Sequence, residues 1–252
     1  MNYRRIPFVN TQADAISLEN AVEVVFVAIE RRNKLHIVFL NALKIHEIEK
    51  DSRMAEAVSA AELILADGVP IVWASRLFGR PLPGRVNGTD LFELLLARSE
   101  REGKRIFLLG ATEKHLDDLM RVLRQSYPKL NIAGYRNGYF SDSDDVAVIE
   151  QINLSGADIL FLGFSSPKKE LWAYKHKHEI LAPVIQGVGG SFDVVAGIIP
   201  RAPRWMQKYG LEWLDRVIRE PRRMLKRYMI SNTNFVYLTL RALFREKVLR
   251  QS

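Results

Sequence analysis

Asp67 is the residue around which a site could be built. It follows the apolar run Leu63-Ile64-Leu65-Ala66 and precedes Gly68-Val69-Pro70. It therefore stands where a buried strand gives way to a helix opening near Pro70. A carboxylate there is an ionisable group, beside a glycine that lets a ligand or another backbone come close. In open α/β sheets, ligands bind at that edge, beyond the carboxyl ends of the strands. The position also suits a helix cap, and the two roles can coexist.

Other chemistry-bearing residues recur at the same place in the pattern. Asn41 ends the strand-like run 36–40, and Gly110 ends the strand-like run from Lys104. Arg85, Asn87 and Asp90 are the polar groups of a Gly/Pro-rich loop over 79–90, long for a mere connection. Pro167, Lys169, Glu170 and Asp193 follow two further strand-like runs. If the strands are parallel, these groups converge on one sheet edge, which argues for a small-molecule site. Gly187-Val188-Gly189-Gly190 follows an apolar run, so Gly187 and Gly189 could let amides approach a phosphate or could simply make a tight turn. There is no P-loop, and Gly110-Ala111-Thr112 lacks the other glycines of a dinucleotide fingerprint. Asp142-Ser143-Asp144-Asp145 resembles a metal-binding acidic cluster but opens a helical pattern, where Asp and Ser are ordinary first-turn residues. His176 and His178 lack helical ligand spacing, and His36, His46 and His115 are scattered.

The elements that must position these groups alternate. Ser17 predicts a helix cap for residues up to Arg32, and residues 42–60 are helical in composition. Thr89 or Asp90 is expected to cap a helix to about Glu102, and Thr112 the next one. Strands are expected near 36–41, 62–66, 104–110, 131–135, 158–162 and 183–188. Such alternation predicts an α/β fold, a mainly parallel sheet covered by helices. Residues 1–16 read as a leader with little pattern, and the single candidate boundary falls near 200, giving domains 1–200 and 201–252.

Charge marks the same boundary. Residues 201–252 hold 13 Lys+Arg and 4 Asp+Glu, a net of +9, whereas residues 1–200 hold 24 and 25. The 252 residues include no cysteine, which excludes disulfides and thiolate chemistry. No signal-peptide pattern or spanning apolar stretch is seen, so a cytoplasmic protein is expected. The last segment reads as helical throughout, with Arg216, Arg219, Arg223 and Arg227 on one face unless Pro221 kinks it or starts a new helix. Phe235, Val236, Leu238, Leu240, Leu243 and Phe244 form an apolar stripe. A basic helix beside such a stripe fits a membrane surface, a docked helix with solvated arginines, or a phosphate-backbone binder. A near-neutral body with polar strand ends favours an enzyme with an anion-holding tail over a nucleic-acid binder or a scaffold. Apolar residues on the tail are compatible with a homo-oligomer.

The ordered motifs resemble a known family. They are Phe39-Leu40-Asn41-Ala42, Ala66-Asp67-Gly68, Arg85-Val86-Asn87-Gly88-Thr89-Asp90-Leu91, Phe107-Leu108-Leu109-Gly110, Asn137-Gly138-Tyr139-Phe140, Pro167-Lys168-Lys169-Glu170-Leu171-Trp172 and Gly187-Val188-Gly189-Gly190-Ser191-Phe192-Asp193. Arg201-Ala202-Pro203-Arg204-Trp205, Gly210-Leu211-Glu212-Trp213, Arg216 and Glu220-Pro221-Arg222-Arg223 complete the set. Together they resemble the WecG/TagA/CpsF family of bacterial glycosyltransferases, glycosyltransferase family 26. The resemblance implies a Rossmann-like enzyme with no cofactor or metal. It implies inverting transfer of a hexose-type sugar from a UDP-sugar donor to a polyprenyl-diphosphate-linked saccharide acceptor, in surface-polysaccharide synthesis. It makes Asp67 the general base and places Asn41, Arg85, Lys169 and Asp193 around the nucleotide sugar. It also docks the basic C-terminal appendage on the anionic inner face of the cell membrane, as a peripheral protein. Arg201, Arg204, Arg216, Arg219, Arg222, Arg223 and Arg227 are then expected to serve the acceptor phosphates and that surface. Phe39, Leu43, Gly84 and Lys169 depart from residues common in the family (Thr, His, Glu and Gln), and these positions leave the donor sugar open.

Overall fold

The computed structural model describes residues 3–249, without the side chains of Lys208, Arg223 and Leu249. The first residues are not a patternless leader. β1 (Arg4–Phe8) and β2 (Thr11–Ala15) form an antiparallel hairpin. Ile6, Phe8 and Ala13 are buried at alternating positions, the mark of strands with one covered face, in runs too short to stand out by eye. Asp14 is buried too. It binds Arg5 Nε at 2.8 Å and accepts the Ile64 backbone N–H at 2.7 Å, satisfying an edge-strand donor that would otherwise be open.

The chain then alternates helix and strand: α1 (Leu18–Glu30), β3 (Leu35–Leu40), α2 (Ala42–Lys50), α3 (Ser52–Ser59), β4 (Leu63–Ala66), α4 (Val69–Leu77), α5 (Gly88–Glu102), β5 (Arg105–Gly110), α6 (Glu113–Ser126), β6 (Asn131–Arg136), α7 (Asp145–Ser155), β7 (Ile159–Gly163), α8 (Lys168–His176), β8 (Val184–Gly187) and α9 (Ser191–Val195). Strands β3 to β8 make one parallel sheet in the order β4-β3-β8-β7-β5-β6. The helix expected over 42–60 is two helices, because Asp51 turns extended and caps α3 by accepting from Arg53 N. Asn87, not Thr89 or Asp90, caps α5.

Strand residues divide by parity between the faces, so helices on both sides bury them. Leu35, Ile37 and Phe39 of β3 join Leu108, Phe161 and Val184 under α1, α5 and α6. Val38 and Leu40 face α2, α3 and α4 with Ile64. Phe107, Leu109, Leu160 and Leu162 face α7 and α8.

The tail is three helices: α10 (Arg204–Lys208), α11 (Glu212–Arg219) and α12 (Pro221–Leu249). Pro221 starts a new helix, a first-turn position where its missing N–H costs nothing. Arg216 and Arg219 therefore lie on a different helix from Arg227, not on one continuous face. The tail is docked. Phe235 and Leu238 are buried in the second core, with the Phe235 ring 6.5 Å from that of Phe8. Gly210 has φ +70°, and a Cβ there would stand 2.2 Å from Val69 Cγ2 at the start of α4. Only glycine fits that approach. Among the described residues, no helix is long and apolar enough to cross a membrane.

Candidate active site

The carboxyl ends of β3, β4, β7 and β8 open into a cleft with two lobes. The larger, about 1120 Å³, runs from Asp67 across Gly187 and Gly189 to His115 and Asp193. The smaller, about 250 Å³, lies between Asp67, Arg85 and the tail residues Arg201, Arg216, Arg219 and Arg227. Asn41, Asp67, Asn87, Thr89, Arg216 and Arg227 line both. Asp67 thus stands where the lobes meet.

Backbone and side chain of Asp67 are held separately. Its N–H donates to Leu40 O at 2.7 Å, which ties it to β3. The N-cap of α4 is Gly68 with no side-chain cap bond, so Asp67 is not spent on capping. Its carboxylate, partly exposed to the cleft, accepts from Asn87 Nδ2 at 3.3 Å. The same amide nitrogen lies 3.3 Å from Glu212 Oε2, and Arg85 Nη1 donates to that oxygen at 2.5 Å. Burial, and then the charge of Glu212, push the Asp67 carboxyl up to about 6 against the pull of Arg85, Arg216 and Lys169.

Asn87 works with both ends of its amide. Its Oδ1 accepts from Thr89 N at 2.9 Å and Asp90 N at 3.2 Å, which caps α5, while its Nδ2 faces the two carboxylates. Asn87→Ala should cost about 1 kcal/mol of stability from the lost cap. Urea unfolding with an unchanged slope and a lower midpoint would show it.

In the larger lobe Lys169 lies across Gly187, where a Cβ would stand 2.9 Å from Lys169 Cδ. Glu170 is buried beneath it, 3.0 Å from Lys169 Nζ and 2.8 Å from Lys44 Nζ. Lys44, itself buried, also reaches Glu47 at 3.1 Å and the Ser166 hydroxyl. Burial alone would raise the Glu170 carboxyl, but Lys169 and Lys44 outweigh it and hold it below its ordinary value. Across the lobe, His115 Nδ1 is 2.8 Å from Asp193 Oδ1, and Thr112 caps α6 by accepting from His115 N.

The structure gathers Asn41, Asp67, Arg85, Asn87, Lys169, Gly187, Gly189 and Asp193 around the cleft, with Arg201, Arg216, Arg219 and Arg227 from the tail. The other expected residues do not line it. Asp90 is bonded to Arg201. Gly110 is packed against the Gly163 backbone of β7. Pro167, after a cis peptide bond, opens α8, and Glu170 lies beneath the surface supporting Lys169. Arg204 and Arg222 are exposed away from both lobes, and the Arg223 side chain lies outside those described. Arg219 enters the smaller lobe while bonded to Asp215 at 2.8 Å.

The acidic cluster before α7 is built for structure. Ser141 and Asp144 exchange capping-box bonds, and Asp145 is buried against Trp172 Nε1, Lys175 Nζ and His176 Nε2. Among the described residues, no three His, Cys, Asp or Glu side chains stand together as metal ligands would. Three cleft residues gave no usable sequence signal for their contacts: Lys44, His115 and Glu212. Their partners Glu170, Asp193, Arg85 and Asn87 come from distant elements, so spacing along the chain cannot reveal them.

The model of the glycosyl transferase WecG/TagA/CpsF family matches residues 6–249. The chain is 34% identical over 195 residues to an N-acetylglucosaminyldiphosphoundecaprenol N-acetyl-β-D-mannosaminyltransferase of Bacillus spizizenii, covering 77% of this chain and 74% of that one. It is 37% identical over 172 residues to the protein of the same name from Bacillus subtilis, covering 68% of this chain and 66% of that one.

Proposed function

The chain belongs to the WecG/TagA/CpsF family of glycosyltransferases, and from that premise we propose that it transfers an N-acetylmannosamine-type sugar from UDP to a polyprenyl-diphosphate-linked saccharide, with inversion and with Asp67 as general base. The observation that carries this reading is the place of Asp67, a carboxylate raised toward neutrality at the junction of two differently built lobes. The names of the two Bacillus relatives support a lipid-diphosphate acceptor.

The larger lobe, about 1120 Å³, lies just above the roughly 300–1,000 Å³ usual for small-molecule sites. Its glycine turn and Lys169 suit the diphosphate of a nucleotide sugar. The smaller lobe, where Arg216 and Arg227 stand beside Arg201 and Arg219 already paired with Asp90 and Asp215, suits the diphosphate of the acceptor lipid. In the reaction, the acceptor oxygen forms a bond to the anomeric carbon as its proton passes to Asp67. The bond from that carbon to the donor phosphate breaks, and its electron pair leaves with UDP. Lys169, Arg216 and Arg227 line the larger lobe, and in this reading they stabilise that developing charge. We assign this stabilisation to side chains and amides, with no metal.

A base with a carboxyl raised to about 6 must lose its proton to work. kcat/KM should therefore fall as pH drops through about 6, at a higher pH than an ordinary carboxylate near 4 would give. The direct test supplies UDP-N-acetylmannosamine and a polyprenyl-diphosphate-linked N-acetylglucosamine with anionic vesicles, with and without EDTA. EDTA-insensitive release of UDP with a β-linked product is expected. Absence of both UDP binding and transfer would overturn the reading.

A further inference from the structure

Glu212 reaches from the tail into the strand-edge site. It opens α11, and its Oε2 accepts from Arg85 Nη1 at 2.5 Å, with Asn87 Nδ2 at 3.3 Å. That amide also donates to Asp67 Oδ1 at 3.3 Å. Among the described residues, no hydrogen bond joins Arg85 to Asp67 itself. An arginine paired directly with a carboxylate holds it ionised and makes it a poor proton acceptor. Here the tail's carboxylate takes that arginine instead.

We propose that Glu212 is a positioning residue for the transfer reaction: by engaging Arg85 and sharing the Asn87 amide, it keeps Arg85 from quenching Asp67, so that docking of the tail completes the proton acceptor. This rests on Asp67 being the base. Besides Glu220 and Arg227 of the tail, which line both lobes with it, the charged groups that act on Asp67 are Arg85 from the loop before α5, Lys169 from α8, and Glu212 and Arg216 from α11. Three are cations, and Glu212 is the anion set against them. The direction of its effect on Asp67 agrees with the geometry, since the charge of Glu212 raises that carboxyl and Arg85 lowers it. Arg201, from the segment before α10, also feels Glu212 but is bonded to Asp90 and Glu93. The arrangement couples two requirements. A body with its tail displaced would leave Arg85 beside Asp67 with no competing carboxylate, and the base would be weak until the tail returned.

The test is the pH dependence of kcat/KM for the full-length protein, from about pH 4.5 to 8.5. Glu212→Gln should move the acid limb to lower pH by about half a unit or more and lower the plateau severalfold, as a weaker base requires. Glu212→Asp keeps the charge and should return the limb toward the wild-type position. Arg85→Gln should move it the other way, to higher pH, and serves if Glu212→Gln fails to fold. An unmoved limb in Glu212→Gln, or equal impairment in the Gln and Asp variants without a shift, overturns the proposal. If Arg85→Gln alone is available, an unmoved limb in that variant overturns it. Asp67→Asn separates the two claims. If that variant turns over normally, the base assignment has failed. If it is inactive while Glu212→Gln keeps the wild-type limb, only the role of Glu212 has failed.

Discussion

Asp67→Asn should lose transfer activity by about 10²–10⁴-fold, the usual worth of a positioned general base, and should at the same time be more stable than the wild type above pH 6. The amide keeps the size of the carboxyl and its bond from Asn87 but cannot take a proton. The stability gain follows from the raised carboxyl. In the unfolded chain Asp67 ionises near its ordinary value, about 4, whereas in the folded chain it does so at about 6. Its ionisation therefore opposes folding. This group's contribution is best at low pH and is lost as pH rises from about 4 through 6. Above that window the wild type carries a cost on the order of 1–3 kcal/mol, reduced by partial exposure to the cleft, which asparagine does not carry. Melting curves at pH 7.5 and pH 4 should show the variant ahead at the first and level at the second. UDP binding should survive, because the glycine turn and Lys169 are untouched. Near-normal turnover would remove Asp67 from the role of base.

Such a stability gain on losing activity is expected of a group held in an unfavourable state for its function. The same consideration explains which parts of the site were legible in the sequence. Asp67, Asn41 and Gly187 announce themselves because each ends an apolar strand-like run, and the parallel sheet carries strand ends to one edge. The sheet was legible for the same reason, since strands β3, β4, β5, β7 and β8 are buried on both faces and read as largely apolar runs, while the edge strand β6 is only half-buried. The β1–β2 hairpin was not, because its strands are short and half-covered, and its main anchor, Asp14, is a buried charge that no periodicity marks. Asp67 as a cap and Asp67 as a cleft residue were equally good from spacing, and only the backbone of Gly68 separates them. The arginine arrangement was legible in type but not in placement. Pro221 divides Arg216 and Arg219 from Arg227, yet tertiary folding returns all three to one lobe.

Replacing the exposed Arg222, Lys226, Arg245 and Lys247 by Gln should weaken binding to anionic vesicles by about 10³-fold at low salt, at roughly 1 kcal/mol per basic residue. These four are exposed, and none lines the cleft. UDP binding should therefore be unchanged, which separates surface attraction from the chemistry of the site. Alongside them run Leu225, Met229, Leu240 and Phe244, exposed along α12 at intervals that keep each pair on one face. Such side chains would add apolar burial to the electrostatic attraction, as in helices that lie in the plane of a membrane interface. Residual salt-insensitive binding by the fourfold variant is accordingly expected, and adding Leu240→Ser and Phe244→Ser should remove it. Equal vesicle binding by wild type and fourfold variant would refute docking through the basic tail. Cutting the chain near residue 200 is a poorer experiment. Phe235, Leu238 and Met224 are buried, the first two in the core beneath α2. Their removal would open an apolar face on the body, and a truncated protein could then bind vesicles through a surface that the intact protein never shows.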